Sequence, residues 1–449
     1  MARRLIKSGI VITLDDAVPA LRRGDVLIEG TRIAAIAPEI AAEDAEIIDA
    51  ARCIVMPGFV NAHIHAWQTG LRGVAADWTI PEYLHAMHAS IAPGFRPQDI
   101  FIANLAGALN QLDAGVTTMV DWCHNNPTPA HTDAAVDGLL ESGIRALFLH
   151  GSPKPDPQPG QRHFSEIPHP RAEIERLARG RIGARDGLVG LGMAILGPAY
   201  STYEVSRQDV ALARELAMIC SMHVGGGAMR TPDGFQRLAA EGLIDDRVNI
   251  VHGNSLADAT LRQLVENGAG VTVTPEVELQ MGFGDCLTGR LRALGAAPSL
   301  GSDVESSLGS DMFTVMRIAL QSQRNLDNQQ AIARTGRAPE RISIPCREAL
   351  LWATMAGARM AGLDDRIGSL RPGKEADIVL LRADDLNLLP VVDPVASIVL
   401  HAGVANVDTV LVAGQVVKRG GKLLYRDLAR RKAELAESSR RILGAARLR

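Results

Sequence analysis

From residue 54 to about 325 the chain alternates short apolar runs with segments whose apolar positions recur every three or four residues. Apolar runs bounded by glycine, proline and polar clusters read as buried strands, and the intervening period reads as helix. Eight strands are predicted, around Val60 and over 118–120, 146–149, 188–195, 219–223, 248–251, 271–273 and 298–300. Eight such units in succession predict an α/β chain whose parallel sheet closes into a TIM-like (β/α)8 barrel.

The two ends have a different texture. Period-two patterning over 5–14, 25–29 and 32–36, with Gly30-Thr31 as a turn, predicts a small antiparallel sheet. A helix is predicted over 346–363, and β-rich text returns from 366 to about 424, over 371–381 and 407–417. Two β-rich ends around one barrel predict a small composite β-sandwich domain built from 1–55 and 363–424, with the barrel over 56–362. The remaining 425–449 carry Leu428, Leu435 and Ile442 at a spacing of seven among many arginines. That pattern predicts an amphipathic C-terminal helix with one packed and one solvated face.

In a barrel of this kind the reacting groups sit at the carboxyl ends of the strands. There the sequence places His63 and His65, His124, His223, His252 and Asp303. His63 and His65 are two residues apart at the end of an extended run, so both rings point to one side. With His223 and Asp303 they offer three nitrogens and a carboxylate, a donor set for one divalent metal ion. Zinc is the default, and Fe2+ or Mn2+ suits the same donors.

The stretch Pro57-Gly-Phe-Val-Asn-Ala-His-Ile-His65 resembles the first-strand signature of the amidohydrolase superfamily, most closely its cytosine deaminase and atrazine-hydrolase branch. Arg371-Pro-Gly-Lys-Glu-Ala-Asp377 resembles the C-terminal signature of the same superfamily, so the likeness spans nearly the whole chain. The resemblance implies His63, His65, His223 and Asp303 as metal ligands, and His252 as the residue that polarises the substrate. Related binuclear enzymes bridge two metals with a fourth-strand lysine; residues 181–200 contain none, so a single ion is expected.

The chemistry implied is hydrolysis of a non-peptide carbon–nitrogen bond, most readily deamination of a nitrogen heterocycle. Asp303 is expected to accept the proton of a metal-activated water, and His252 to donate a hydrogen bond to the developing charge. One position departs from the pattern: deaminases of this branch carry a glutamate three residues after the fifth-strand histidine, and here that residue is Gly226. Glu276, Glu278 or His124 could replace that acid. The departure also keeps open an amide, lactone or halide substrate. A non-catalytic barrel would have lost ligands, and none is missing. Trp67, Gln68 and Trp78, in the loop after the first strand, are candidates for a substrate wall. The proline-rich segment 151–170 is a candidate lid.

Composition narrows the setting. With 449 residues, 47% hydrophobic and 22% charged, the chain can bury a large core. A formal net charge of -4 points to neither nucleic acid nor a membrane surface, leaving a small-molecule substrate. The five cysteines are scattered without a Cys-x-x-Cys pair, which fits reduced thiols in the cytoplasm. The start, Met1-Ala-Arg-Arg-Leu-Ile-Lys, does not read as a signal peptide, and no stretch is long enough to span a bilayer. Chains of this size are often symmetric oligomers, and a homo-oligomer is compatible with the composition.

Overall fold

Two sheets organise the chain, one of eight strands and one of nine. The computed structural model describes residues 3–155, 157–184, 186–225 and 227–446. The eight barrel strands are Phe59–Ile64, Val116–Cys123, Arg145–Gly151, Val189–Ile195, Cys220–Val224, Val248–His252, Gly270–Val273 and Ser299–Leu300. They lie in chain order across the sheet, and the pairs from the third strand to the eighth are parallel. A parallel bridge between Ile64 and Asp303 joins the first strand to the end of the eighth and closes the circle. The eight strands expected from the apolar runs are all present. Both faces of the first, second, third, fifth and sixth are buried, as parallel strands covered on both sides require.

The second sheet runs in the order Lys422–Leu423, Gln415–Arg419, Val407–Val412, Ile378–Arg382, Cys53–Pro57, Arg3–Val11, Leu21–Glu29 and Arg32–Ala37. The two ends of the chain meet where Ile378–Arg382 pairs antiparallel with Cys53–Pro57. Gly30, at φ 61°, makes the expected turn. The sheet is not purely antiparallel: Arg3–Val11 pairs parallel with both Glu46–Asp49 and Cys53–Pro57. Ile6, Val26, Ile28, Val55, Ile378 and Leu411 form its core.

By internal contacts the chain divides into two units. One comprises Met1–Asn61, Leu109–Thr118 and Asp311–Arg426; the other comprises Ala62–Ala108, Met119–Ser310 and Asp427–Arg449. In the first, the helix Met312–Thr335 starts where the Asp311 carboxylate accepts from Thr314 N at 2.9 Å and stops at left-handed Gly336. In the second, the terminal helix Leu428–Ala445 buries Ile442. Its polar face is tied down by Ser438 donating to Asp99 at 2.6 Å and Arg431 donating to Glu141 at 2.6 Å. Every side chain of the site below belongs to the second unit.

Candidate metal centre

The first barrel strand presents His63 and His65 on one face. The contact that closes the barrel brings Asp303 to them: Asp303 N donates to His63 O at 3.0 Å, and His65 N donates to Asp303 O at 2.9 Å. Gly301 permits this approach, since a Cβ there would stand 2.7 Å from His63 Cβ. Asp303 and His252 have φ of 62° and 67°. That region costs a non-glycine residue about 1–3 kcal/mol, and such strain concentrates where a side chain must be aimed.

The side chains converge. His63 Nε2 lies 3.2 Å and His65 Nε2 3.3 Å from Asp303 Oδ1, and His223 Nε2 lies 3.2 Å from His63 Nε2. One ligand atom from each of these four buried residues falls within 4.8 Å of all the others. The nitrogen Nδ1 of His65 is 2.6 Å from Trp122 O, which fixes its proton there. The Nε2 lone pair of His65 therefore faces the Asp303 carboxylate, two acceptors that a cation between them reconciles. The donors fit a single divalent ion.

Burial pulls His63 down to about 4 and His223 well below the usual imidazole range, so both are neutral donors at pH 7. Burial alone would raise the Asp303 carboxyl. Its contact with His63, the largest of the opposing influences, helps outweigh that, and the carboxyl is held well below the usual carboxylate range.

His252 stands at the edge of the cluster, its Nε2 3.9 Å from Asp303 Oδ2. Its Nδ1 is 2.9 Å from the Thr274 hydroxyl. Behind Thr274 the fully buried Glu278 accepts from Thr274 N at 2.7 Å and from Asn254 Nδ2 at 3.3 Å, and lies 3.4 Å from His252 Nδ1. Glu278 is thus a support for His252. Glu278→Gln is expected to lower turnover by about 10–100-fold, as loss of an outer-shell partner does. Metal content should stay unchanged, and turnover kinetics beside metal analysis check both parts.

A cavity opens over the cluster, lined by His65, His223, His252 and Asp303 together with Tyr83, His88, His124, Lys154 and Tyr200, among apolar walls. Of the residues expected to touch substrate, His124 lines it, stacked 4.3 Å from the His65 ring and accepting from Trp67 Nε1 at 2.9 Å. Trp67 and Gln68 are buried one layer back; Gln68 donates to the Tyr83 hydroxyl at 2.6 Å and accepts from Ser306 at 2.6 Å. Trp78 and Glu276, both half-buried, do not line the cavity, and neither does Glu278. Gly226 lies outside the described residues. Its neighbour Gly225 packs against Tyr200, where a Cβ would meet the hydroxyl at 2.6 Å.

Sequence reasoning missed Tyr83, His88, Lys154 and Tyr200. Lys154 follows the third strand by three residues and Tyr200 follows the fourth by five. A search of strand ends carried a few residues into each loop would have reached both. Burial lowers the Lys154 ammonium to about 8, against the opposing charge of Asp303.

The family model described as Amidohydrolase family matches residues 54–417. A 5-methylthioadenosine/S-adenosylhomocysteine deaminase of Desulforudis audaxviator is 30% identical over 90% of this chain and 91% of its own. Among solved structures, an adenosine deaminase from Xanthomonas campestris with bound zinc matches with a TM-score of 0.81 at 24% identity, covering 99% of each chain. An atrazine chlorohydrolase variant from Arthrobacter aurescens, complexed with zinc and atraton, matches with a TM-score of 0.85 at 22% identity over 97% of this chain and 99% of its own.

Proposed function

The chain belongs to the amidohydrolase family, and from that premise we propose that it is a zinc-dependent aminohydrolase, replacing an amino group on a nitrogen heterocycle by oxygen. The observation that carries this is the convergence of His63, His65, His223 and Asp303 within 4.8 Å, at a cavity that His252 also lines. The deaminase name of the Desulforudis relative supports an amine as leaving group, with adenine nucleosides as the first substrates to try. The zinc of the Xanthomonas structure supports the choice of ion.

His63, His65, His223 and Asp303 would hold a divalent ion, which would supply the Lewis acidity that makes water nucleophilic near neutral pH. Asp303 takes up the proton that the water loses and passes it to the departing nitrogen. Thr274 and Glu278 hold His252 through Nδ1 and leave Nε2 facing the cluster, where His252 polarises the substrate as negative charge develops on it. His124, stacked on His65, presents a flat neutral surface to the ring. The free cysteines, four buried and one half-buried, suit a reducing compartment, and we place the enzyme in the cytoplasm. No helix of the described residues is long and apolar enough to cross a membrane.

The test is ammonia release by zinc-loaded protein from adenine nucleosides and a panel of aminated pyrimidines, purines, pterins and triazines, with His252→Ala as control. Release by the wild type that the control lacks is the expected result. A second reading keeps the same residues and changes the leaving group to that of an amide, lactone or halide; Gly226, where the resemblance expects a glutamate, favours it. Absence of ammonia from every member of the panel, with metal bound, would select that second reading.

A further inference from the structure

We propose that Lys154 sets the specificity of this cavity, its ammonium selecting a heterocycle that carries a negative charge, as a carboxylate or an ionised ring oxygen, over the neutral analogue. The proposal rests on the hydrolase reading only in taking the cavity as the substrate site.

Lys154 is half-buried, and its Nζ lies 4.7 Å from the centroid of the Tyr200 ring and 5.7 Å from that of Trp122. It lines the same cavity as His65, His223, His252 and Asp303, and among the described residues it has no hydrogen bond or ion pair. An ammonium withdrawn from water without an anion is unfavourable unless a ligand brings one. Its three N–H groups donate and none accepts, so the ligand edge it meets must carry lone pairs.

An aromatic wall stands beside it. The Tyr200 hydroxyl occupies the room beside Gly225, and the Tyr200 ring carries the ammonium on its face. Asp303 and Lys154 are the formally charged residues of the lining. With a divalent ion bound, Asp303 leaves one positive charge uncompensated and Lys154 adds a second. The lining as it stands favours an anion.

The segment is anchored immediately before Lys154. Gly151 presses on the end of the second strand, where a Cβ would stand 2.8 Å from Cys123 O. The Ser152 hydroxyl is 3.5 Å from His169 Nδ1. His169 is in turn held by His150 at 3.0 Å and by its own N–H donating to Asp209 at 2.8 Å. A lysine on a tethered loop loses less freedom on binding, which sharpens discrimination.

Orotate and uracil are a matched pair of oxo-heterocycles, one anionic and one neutral at pH 7. Calorimetry on the zinc-loaded full chain should show orotate bound about tenfold or more tighter, the ratio expected for one charge-assisted hydrogen bond. Lys154→Met should abolish the preference and Lys154→Arg retain it, with zinc content unchanged in both. Equal binding of the two probes, binding of neither at millimolar concentration, or a Lys154→Met variant that keeps the preference would overturn the proposal. The ammonia assay reports separately: a protein that prefers orotate yet releases no ammonia loses the aminohydrolase reading and keeps this one.

Discussion

Asparagine in place of Asp303 is expected to lower turnover by about 10³-fold or more, because it removes a metal ligand and the proton carrier together. The amide keeps the shape of the carboxylate and can neither take up a proton nor balance the charge of the ion. The barrel should survive, since the bonds that close it at this point are main-chain: Asp303 N to His63 O and His65 N to Asp303 O. His63→Ala is expected to act in the same direction. Steady-state turnover beside circular dichroism checks both variants; full activity with either residue replaced would remove it from the chemistry.

Stripping the metal is the second large effect. Chelation should abolish turnover and lower Tm, and added zinc should restore both. An ion present at 1,000 times its dissociation constant stabilises the native state by about 4 kcal/mol, which for a chain of this length corresponds to a shift on the order of 5 °C. The pH dependence has a definite sign. Protons compete with metal for imidazole nitrogen, and burial keeps His63 neutral down to about 4. Metal should therefore be retained at neutral pH and lost as the pH falls toward that value. Differential scanning calorimetry with and without chelator measures the shift; an unchanged Tm with metal demonstrably gone would mean that the cluster does not bind it tightly.

The barrel was legible because its signals are local. Each strand is an apolar run, and the groups at its end follow within a few residues, so His63, His65, His223, His252 and Asp303 could be placed without coordinates. The convergence of four of them depends on closure between the first and eighth strands, which the (β/α)8 pattern implies. What stayed hidden depends on loops and on depth. Glu278 lies one helical turn past the seventh strand, and only the packing shows it turned away from the cavity to hold Thr274 behind His252. Lys154 sits in proline-rich text with no periodicity, and its aim is set by Trp122 on the second strand and Tyr200 just past the fourth. The parallel pairing of Arg3–Val11 with Cys53–Pro57 was invisible for a similar reason: alternation identifies a strand and not its partner.

The central claim is that one metal ion sits among His63, His65, His223 and Asp303. Anomalous diffraction at the zinc edge from crystals of the metal-loaded protein tests it most directly. One peak per chain is predicted, about 2.0–2.2 Å from three imidazole nitrogens and one carboxylate oxygen of these residues. Two peaks in the site, or a single peak outside it, would contradict the account.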